Sequence, residues 1–215
     1  MKIVKPSFEI INMTGGSPFE LLKVIEQAGR VCYKSEDKIT IDSHEKFIKS
    51  ILNRGHEAVI EHGVVTCKII CDRGVTHEIV RHRLASYCQE STRYCNYSKD
   101  SFGNEITVIE PCYLEQDSKA YRCWQVACDT AESAYFDMLL NGCTPQEARA
   151  VLPNSLKTEI VITMNIREWR HFFKLRCAPA AHPQMREVAR LGVELMYETL
   201  PTLFEDVHEE VYKHD

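Results

Sequence analysis

An α+β fold, in mixed α/β form, is what this sequence predicts. It should be one domain over residues 1–215, with a central, mostly antiparallel sheet flanked by long helices and no Rossmann nucleotide fold. Three observations predict it. Helix-start signals, Ser17-Pro18-Phe19-Glu20 and Thr144-Pro145-Gln146-Glu147, stand ahead of helical stretches. The β-rich runs are few and short among more numerous helices. Finally, the chain has no G-x-G-x-x-G and no Walker pattern, its only adjacent glycines being Gly15 and Gly16.

The elements follow in order. Ile3 to Ile11 is β-rich, and Pro6 limits it to an edge. Ser17 caps a helix that runs to about Tyr33, with Pro18 at its first position. Asp42-Ser43-His44-Glu45 repeats the capping signal, and Gly55 stands where that helix should stop. HGVVTCKIIC, His62 to Cys71, reads as a strand, and Asp72-Arg73-Gly74 turns the chain. Thr76 is placed to cap a helix carrying Ile79, Val80 and Leu84 on one side, fraying into Ser86 to Tyr94. Ile106 to Ile109 is a short strand ended by Pro111. A long helix, Asp117 to Leu140, closes at Asn141-Gly142, and Thr144 opens a short one with Arg149. Thr158 to Met164 reads as a buried strand, Arg167 to Arg176 returns to helical spacing, and Pro183 opens a last helix interrupted at Pro201.

Composition narrows the class. The 215 residues suffice for one good-sized core. A formal net charge of −5 makes the surface as a whole a poor template for nucleic acid or an anionic membrane, so any anion site must be local. MKIVKPSFEIINM has no signal-peptide core, and no run approaches the roughly 18 apolar residues that span a bilayer. The ten cysteines contain no C-x-x-C pair; they read as reduced, mostly buried thiols of a cytoplasmic protein. His77-Glu78 and His56-Glu57 both fail the H-E-x-x-H zinc pattern, because Arg81 and Ile60 stand at the second histidine position, and no metal site is expected.

Against that acidic background, RHRLASYCQESTRY, residues 81–94, gathers Arg81, His82, Arg83 and Arg93 with Gln89, Ser91 and Thr92 between them. Three successive residues point in three directions around a helix, so an isolated R-H-R would read as a solvated face. The hydroxyls and amide that follow favour a phosphate instead, since guanidinium is a planar fork and hydroxyls fill the remaining lone pairs. Met164 to Arg176 reads equally well as an amphipathic helix, with Ile166, Trp169 and Phe173 inward and Arg167, Arg170 and Lys174 solvated. Ser91 as a nucleophile would need a base and an orienting group, and a phosphate role asks less of it.

The complete pattern R-H-R-x7-S, residues 81–91, resembles the signature of the flavin-dependent thymidylate synthases. His56 to His62 resembles that family's H-x-x-x-x-E-H element. Arg149 before Val151-Leu152-Pro153 is similar to its A-R-x-x-L-P element, and Asn165, Arg167, His171, Leu175-Arg176 and His182 to its N-x-R…L-R…H segment. The resemblance implies conversion of dUMP to dTMP, with 5,10-methylenetetrahydrofolate as one-carbon donor and NADPH as reductant through FAD, in a cytoplasmic homotetramer whose sites are shared between subunits. It implies that Arg93 and Arg149 hold the dUMP phosphate with Ser91 and Thr92, and that Gln89 and Glu90 belong to the same loop. Arg81 and Glu78 complete the dUMP set, and Arg176 stands catalytically against the uracil. FAD is implied to meet His56, Ala58, Arg81, His82, Arg83, Leu84, Gln89, Asn165, Arg167 and His171. Ala58 departs from a family Ser or Thr, and Glu78 from a Gln found in some members. Pro111-Cys112 lacks the surroundings of the cysteine nucleophile of the unrelated thymidylate synthases, so no cysteine is expected to attack the ring. Two rival readings keep the same anion cluster: a flavin reductase without methyl transfer, and a non-catalytic nucleotide-binding module.

Overall fold

The computed structural model describes residues 1–99 and 103–213; the stretches 100–102 and 214–215 of the expected domain lie outside the described residues. Two sheets form. One pairs β1 (Lys2–Val4) with β5 (Thr107–Ile109) in parallel, Ile3 opposite Val108. The other is a four-stranded antiparallel sheet in the order β2 (Ser7–Met13), β3 (Val64–Asp72), β6 (Lys157–Asn165), β4 (Ala85–Gln89). Pro6, which lacks an N–H, separates β1 from β2 as its chemistry requires. β3 and β6 bury every second residue, Val65, Cys67 and Ile69 on one and Ile160, Ile162 and Met164 on the other.

By its packing the chain divides into two compact units, Met1–Ser7 with Ile70–Arg81 and Cys88–Ile160, and Phe8–Ile69 with His82–Tyr87 and Val161–Asp215. In the first, α4 (Lys119–Leu140) starts where the Ser118 hydroxyl accepts the Tyr121 N–H at 3.0 Å. The short α5 (Pro145–Ala148) follows, its Glu147 carboxylate taking the Thr144 N–H at 2.7 Å. Ile106, Val108, Cys128, Tyr135, Ala148 and Leu156 form the core of this unit.

The second unit holds α1 (Pro18–Tyr33), α2 (Ser43–Asn53), α6 (Ile166–Arg176), α7 (Pro183–Thr199) and α8 (Pro201–Tyr212). Ser17 caps α1 through the Glu20 N–H at 3.2 Å, and Lys34 ends it in the left-handed region at φ 46°. The α6 aromatics fill the core, Trp169 stacked on Phe173 with centroids 5.7 Å apart and Phe8 edge-on to Trp169. α7 approaches this stack through Gly192, where a Cβ would stand 2.6 Å from Phe8 and 2.7 Å from Phe173. Arg170, buried on α6, forks onto Asp206 of α8 with two 2.7 Å bonds and also donates to the Leu203 carbonyl.

Three local expectations are corrected. The helix expected from Thr76 is α3 (Arg73–Ile79), and Asp72 caps it by accepting the Val75 N–H at 2.7 Å, while Thr76 donates inward to the Arg73 carbonyl. It ends at Ile79, and the expected fraying segment is instead β4, whose residues alternate between half-buried and exposed with the strand period. At α2, Asp42 makes no cap; Ser43 accepts the Thr40 N–H at 2.9 Å and donates to the buried Glu26 at 2.8 Å. The cysteines are less buried than expected: Cys67, Cys71, Cys128 and Cys177 are buried, whereas Cys32, Cys88, Cys112 and Cys123 are exposed. Among the described residues no helix is long and apolar enough to cross a membrane.

Candidate active site

Within the second unit, the motif residue His82 lies buried between two ionic partners. Its Nδ1 is 2.9 Å from Glu168 Oε1, and its Nε2 accepts the Arg176 Nε–H at 3.1 Å. Phe172 covers one side of the ring at 4.9 Å, and His171 lies 5.6 Å away. Both partners come from α6, Glu168 from its first turn and Arg176 from its last residue. Burial pulls the His82 imidazole below the ordinary histidine value; the Glu168 bond opposes this, and the charge of Arg176 adds to it. His82, Glu168 and His171 bring potential metal-ligand atoms within 4.8 Å of one another. Both His82 nitrogens are nevertheless engaged, and the guanidinium beside them opposes a cation.

A cleft of about 460 Å³ opens beside this cluster, lined by Leu84, Asn165, Arg167, Glu168, His171, Lys174, Glu57 and Glu61. Four of the expected cofactor residues, Leu84, Asn165, Arg167 and His171, are therefore brought together. Asn165 uses its amide oxygen to cap α6 through the Glu168 N–H at 2.9 Å, which directs its NH2 elsewhere. Arg167 is held by Glu61 at 2.6 Å and Glu57 at 3.6 Å, both from the 3-10 turn Glu57–His62. Arg167 and Glu61 are about half-exposed, so this pairing is weak and a stronger anion can exchange for it. Asn165, Arg167, His171 and Lys174 are the groups that can hold an anionic cofactor here.

Four expected cofactor residues of this unit, His56, Ala58, His82 and Arg83, do not line the cleft, and His82 is buried with both ring nitrogens already engaged. His56 is exposed, its Nδ1 2.6 Å from the Tyr33 hydroxyl and its ring stacked on Tyr33. Ala58 is exposed on the 3-10 turn and does not line the cleft. Arg83 is exposed.

Within the first unit, the segment after β4 forms a second cluster. Thr92 is buried, and its hydroxyl accepts from Arg149 Nη1 at 3.4 Å. Ser91 accepts the backbone N–H of Arg93 at 3.3 Å, while the exposed Arg93 guanidinium lies over the Tyr94 ring, 5.6 Å from its centroid. Arg149 opens a 3-10 turn directly after α5, which the Thr144 signal positions. Gln89 donates its amide to the hydroxyls of Thr76 at 3.1 Å and Thr158 at 3.3 Å. Glu90 accepts from Tyr97 at 3.1 Å and Lys157 at 3.2 Å. These bonds anchor the loop to β6. Glu78, on α3, is half-buried, and Arg81, just after it, is exposed.

Sequence reasoning missed Arg73, whose Nη1 donates to the Glu90 carbonyl at 3.3 Å, because Asp72-Arg73-Gly74 read only as a turn. It also missed Lys174, Glu57 and Glu61 at the cleft, and Glu168. The spacing Asn165-x-x-Glu168 is a capping-box pattern, which signals a helix start and does not point to His82 as the partner of Glu168.

A model of the family described as thymidylate synthase complementing protein matches residues 18–202. The chain belongs to that family. Both clusters of this thymidylate synthase complementing protein family member lie inside the matched residues. Similar proteins include the flavin-dependent thymidylate synthase of Pyrococcus furiosus, 36% identical over 174 residues that cover 80% of this chain and 70% of that one. The flavin-dependent thymidylate synthase of Corynebacterium aurimucosum is 35% identical over 212 residues, 90% of this chain and 82% of that one. Among solved structures, a UMP/dUMP methylase PolB from Streptomyces cacaoi bound with 5-Br dUMP superposes with a TM-score of 0.76 at 21% identity, covering 95% of this chain and 96% of that one. At that identity the likeness shows the fold alone.

Proposed function

We propose that this chain is a flavin-dependent thymidylate synthase, a methyltransferase that converts dUMP to dTMP with FAD as cofactor. Its membership of the family across residues 18–202, with relatives of that name above 30% identity, is the observation that carries the reading. Under it, 5,10-methylenetetrahydrofolate donates the carbon and NADPH the reducing equivalents. The working form is a cytoplasmic homotetramer of one functional domain per chain, with sites shared between subunits.

The donor set of the cleft fits a flavin dinucleotide. Leu84 is 71% exposed and offers an apolar rest for a flat ring. Asn165, Arg167, His171 and Lys174 offer N–H groups to an anionic tail, and the carboxylates in the same cleft are already matched, Glu61 and Glu57 to Arg167 and Glu168 to His82. Arg81, Arg83, Gln89, His56 and Ala58 complete the proposed flavin contacts. When bound, FAD supplies the reducing equivalents for the new methyl group.

The chain's own residues bind, orient and stabilise. Arg93 and Arg149, with the Ser91 and Thr92 hydroxyls, take the dUMP phosphate, where cationic forks and hydroxyls match its oxygens. Arg81, Glu78, Gln89 and Glu90 belong to the nucleotide side of the site, Glu90 through its hold on the loop. Arg176 stabilises negative charge developing on the uracil carbonyl, a fixed donor that needs no reorganisation during reaction. No cysteine attacks C6, so Cys112 has no part in the chemistry.

The test is the visible spectrum of the purified protein, followed by dUMP-dependent release of tritium from C5. A yellow protein with flavin absorption and dUMP-dependent release is expected. Arg176→Ala should retain flavin and lose turnover by about 100-fold or more, the scale of one removed electrostatic donor. A protein that stays colourless after FAD is added, or NADPH consumption indifferent to dUMP, would overturn the reading.

A further inference from the structure

Glu168 occupies the third position of α6, where a capping-box carboxylate ordinarily folds back onto the N-cap backbone. Here Asn165 does cap the helix, accepting the Glu168 N–H at 2.9 Å, but the Glu168 carboxylate is diverted to His82 Nδ1 at 2.9 Å. A carboxylate only 9% exposed must be matched by donors. On its far side, His82 faces Arg176 Nε at 3.1 Å.

The tautomer of His82 follows from this arrangement. The Arg176 Nε carries a hydrogen and no lone pair, so His82 Nε2 must be the acceptor. The single proton of a neutral imidazole then sits on Nδ1, aimed at Glu168. An imidazolium, or a ring protonated on Nε2, would set one N–H against another at that distance. Phe172 at 4.9 Å and His171 at 5.6 Å face the ring from α6, and the Tyr87 hydroxyl of β4 donates to the His82 carbonyl. None of these supplies a second acceptor to Nδ1.

We propose that Glu168 is a positioning residue for Arg176, acting through His82. Its carboxylate holds the imidazole proton on Nδ1, Nε2 thereby receives the Arg176 Nε–H, and the plane of the guanidinium is fixed. The helix N-terminus beneath Glu168 favours the charged carboxylate, so the proton stays on the ring. The functional weight of this relay rests on the reading of Arg176 as the group against the pyrimidine; the relay itself rests on distances alone.

Two measurements on the flavin-loaded protein test it. In histidine-labelled wild type, the 15N shifts of His82, assigned by loss of its signals in His82→Gln, should be those of a neutral ring protonated on Nδ1 at pH 7.5. Protonation on Nε2, or an imidazolium, overturns the proposal without involving activity. In steady-state kinetics, Glu168→Ala should lower kcat for dTMP formation by about 10- to 100-fold, the range for partners that orient a functional ring from behind. Glu168→Gln keeps an acceptor oxygen of the same reach and should recover most of that loss. Should Glu168→Ala fail to fold, Glu168→Gln and the wild-type tautomer still decide the matter. Turnover of Glu168→Ala within about twofold of wild type, or Glu168→Gln as impaired as Glu168→Ala, would sink it. A wild type that forms no dTMP would instead remove the functional reading, leaving the tautomer to judge the relay.

Discussion

Replacing Arg149 with alanine separates phosphate recognition from folding. Arg149 is exposed, and its contact with Thr92 at 3.4 Å is long and single, so the ligand-free fold should lose no more than a few tenths of a kcal/mol, as for other exposed surface positions. With dUMP bound, the same guanidinium should fork onto phosphate oxygens. Hydrogen bonds to a charged group are each worth about 1.5–3 kcal/mol net. Loss of one such bond weakens dUMP binding by about 10- to 150-fold. Calorimetric titration with dUMP gives the dissociation constant of wild type and variant, and competition by deoxyuridine, which lacks the phosphate, supplies the control. Deoxyuridine binding should not change. Thr92→Ala should cost less, and the double variant should cost less than the sum, because both side chains serve one phosphate. Equal weakening for dUMP and deoxyuridine, or unchanged dUMP binding in Arg149→Ala, would refute the phosphate role.

Gly192→Ala should destabilise the fold by about 1–3 kcal/mol, since its Cβ would press into Phe8 and Phe173 and the helix-propensity gain of alanine only partly offsets that; urea unfolding measures it, and an unchanged midpoint would contradict the close approach. Asp206→Asn should cost about 1–2 kcal/mol at neutral pH, less than a fully buried pair because Asp206 is 56% exposed and Glu57 also lies 3.5 Å from Arg170. Burial raises the Asp206 carboxyl, but the Arg170 bonds outweigh it and hold the folded-state value below the ordinary carboxylate range. Its stabilisation is therefore complete above about pH 4 and fades as pH falls through the depressed value, so wild-type and Asn variant should converge in acid; a constant gap across the acid range would refute this. Cys112→Ser should leave dTMP formation nearly unchanged, and mass spectrometry should find no covalent adduct of Cys112 with dUMP.

Local signals carried much of the fold. Ser17-Pro18 and Pro183 marked helix starts, Pro6 split the first strands, and the β-branched runs at β3 and β6 formed where expected. The Asp72-to-Gln89 stretch was harder, because Asp72 and Thr76 are both good caps and sequence alone does not say which hydroxyl or carboxylate finds its N–H. Nor does it reveal that Ser86 and Cys88 lie on the open side of a strand, a decision made by pairing with β6. For the site, the motif residues Thr92 and Arg149 meet across 57 positions, and Leu84, Asn165, Arg167 and His171 line one cleft. Partners that compete for those groups were hidden. Glu168, Glu61 and Lys157 are unremarkable charges until the chain brings them against His82, Arg167 and Glu90.

The uneven placement of the cysteines turns them into a built-in clock for opening of the chain. Burial pushes the thiols of Cys67 and Cys71 far up and that of Cys177 to about 12, so near neutrality they hold almost no thiolate for an alkylating reagent. Exposed Cys32, Cys88 and Cys123 present their sulfur to solvent at once. Mass added by iodoacetamide should thus arrive in two waves, and the delay of the second reports how often β3 and the end of α6 come undone.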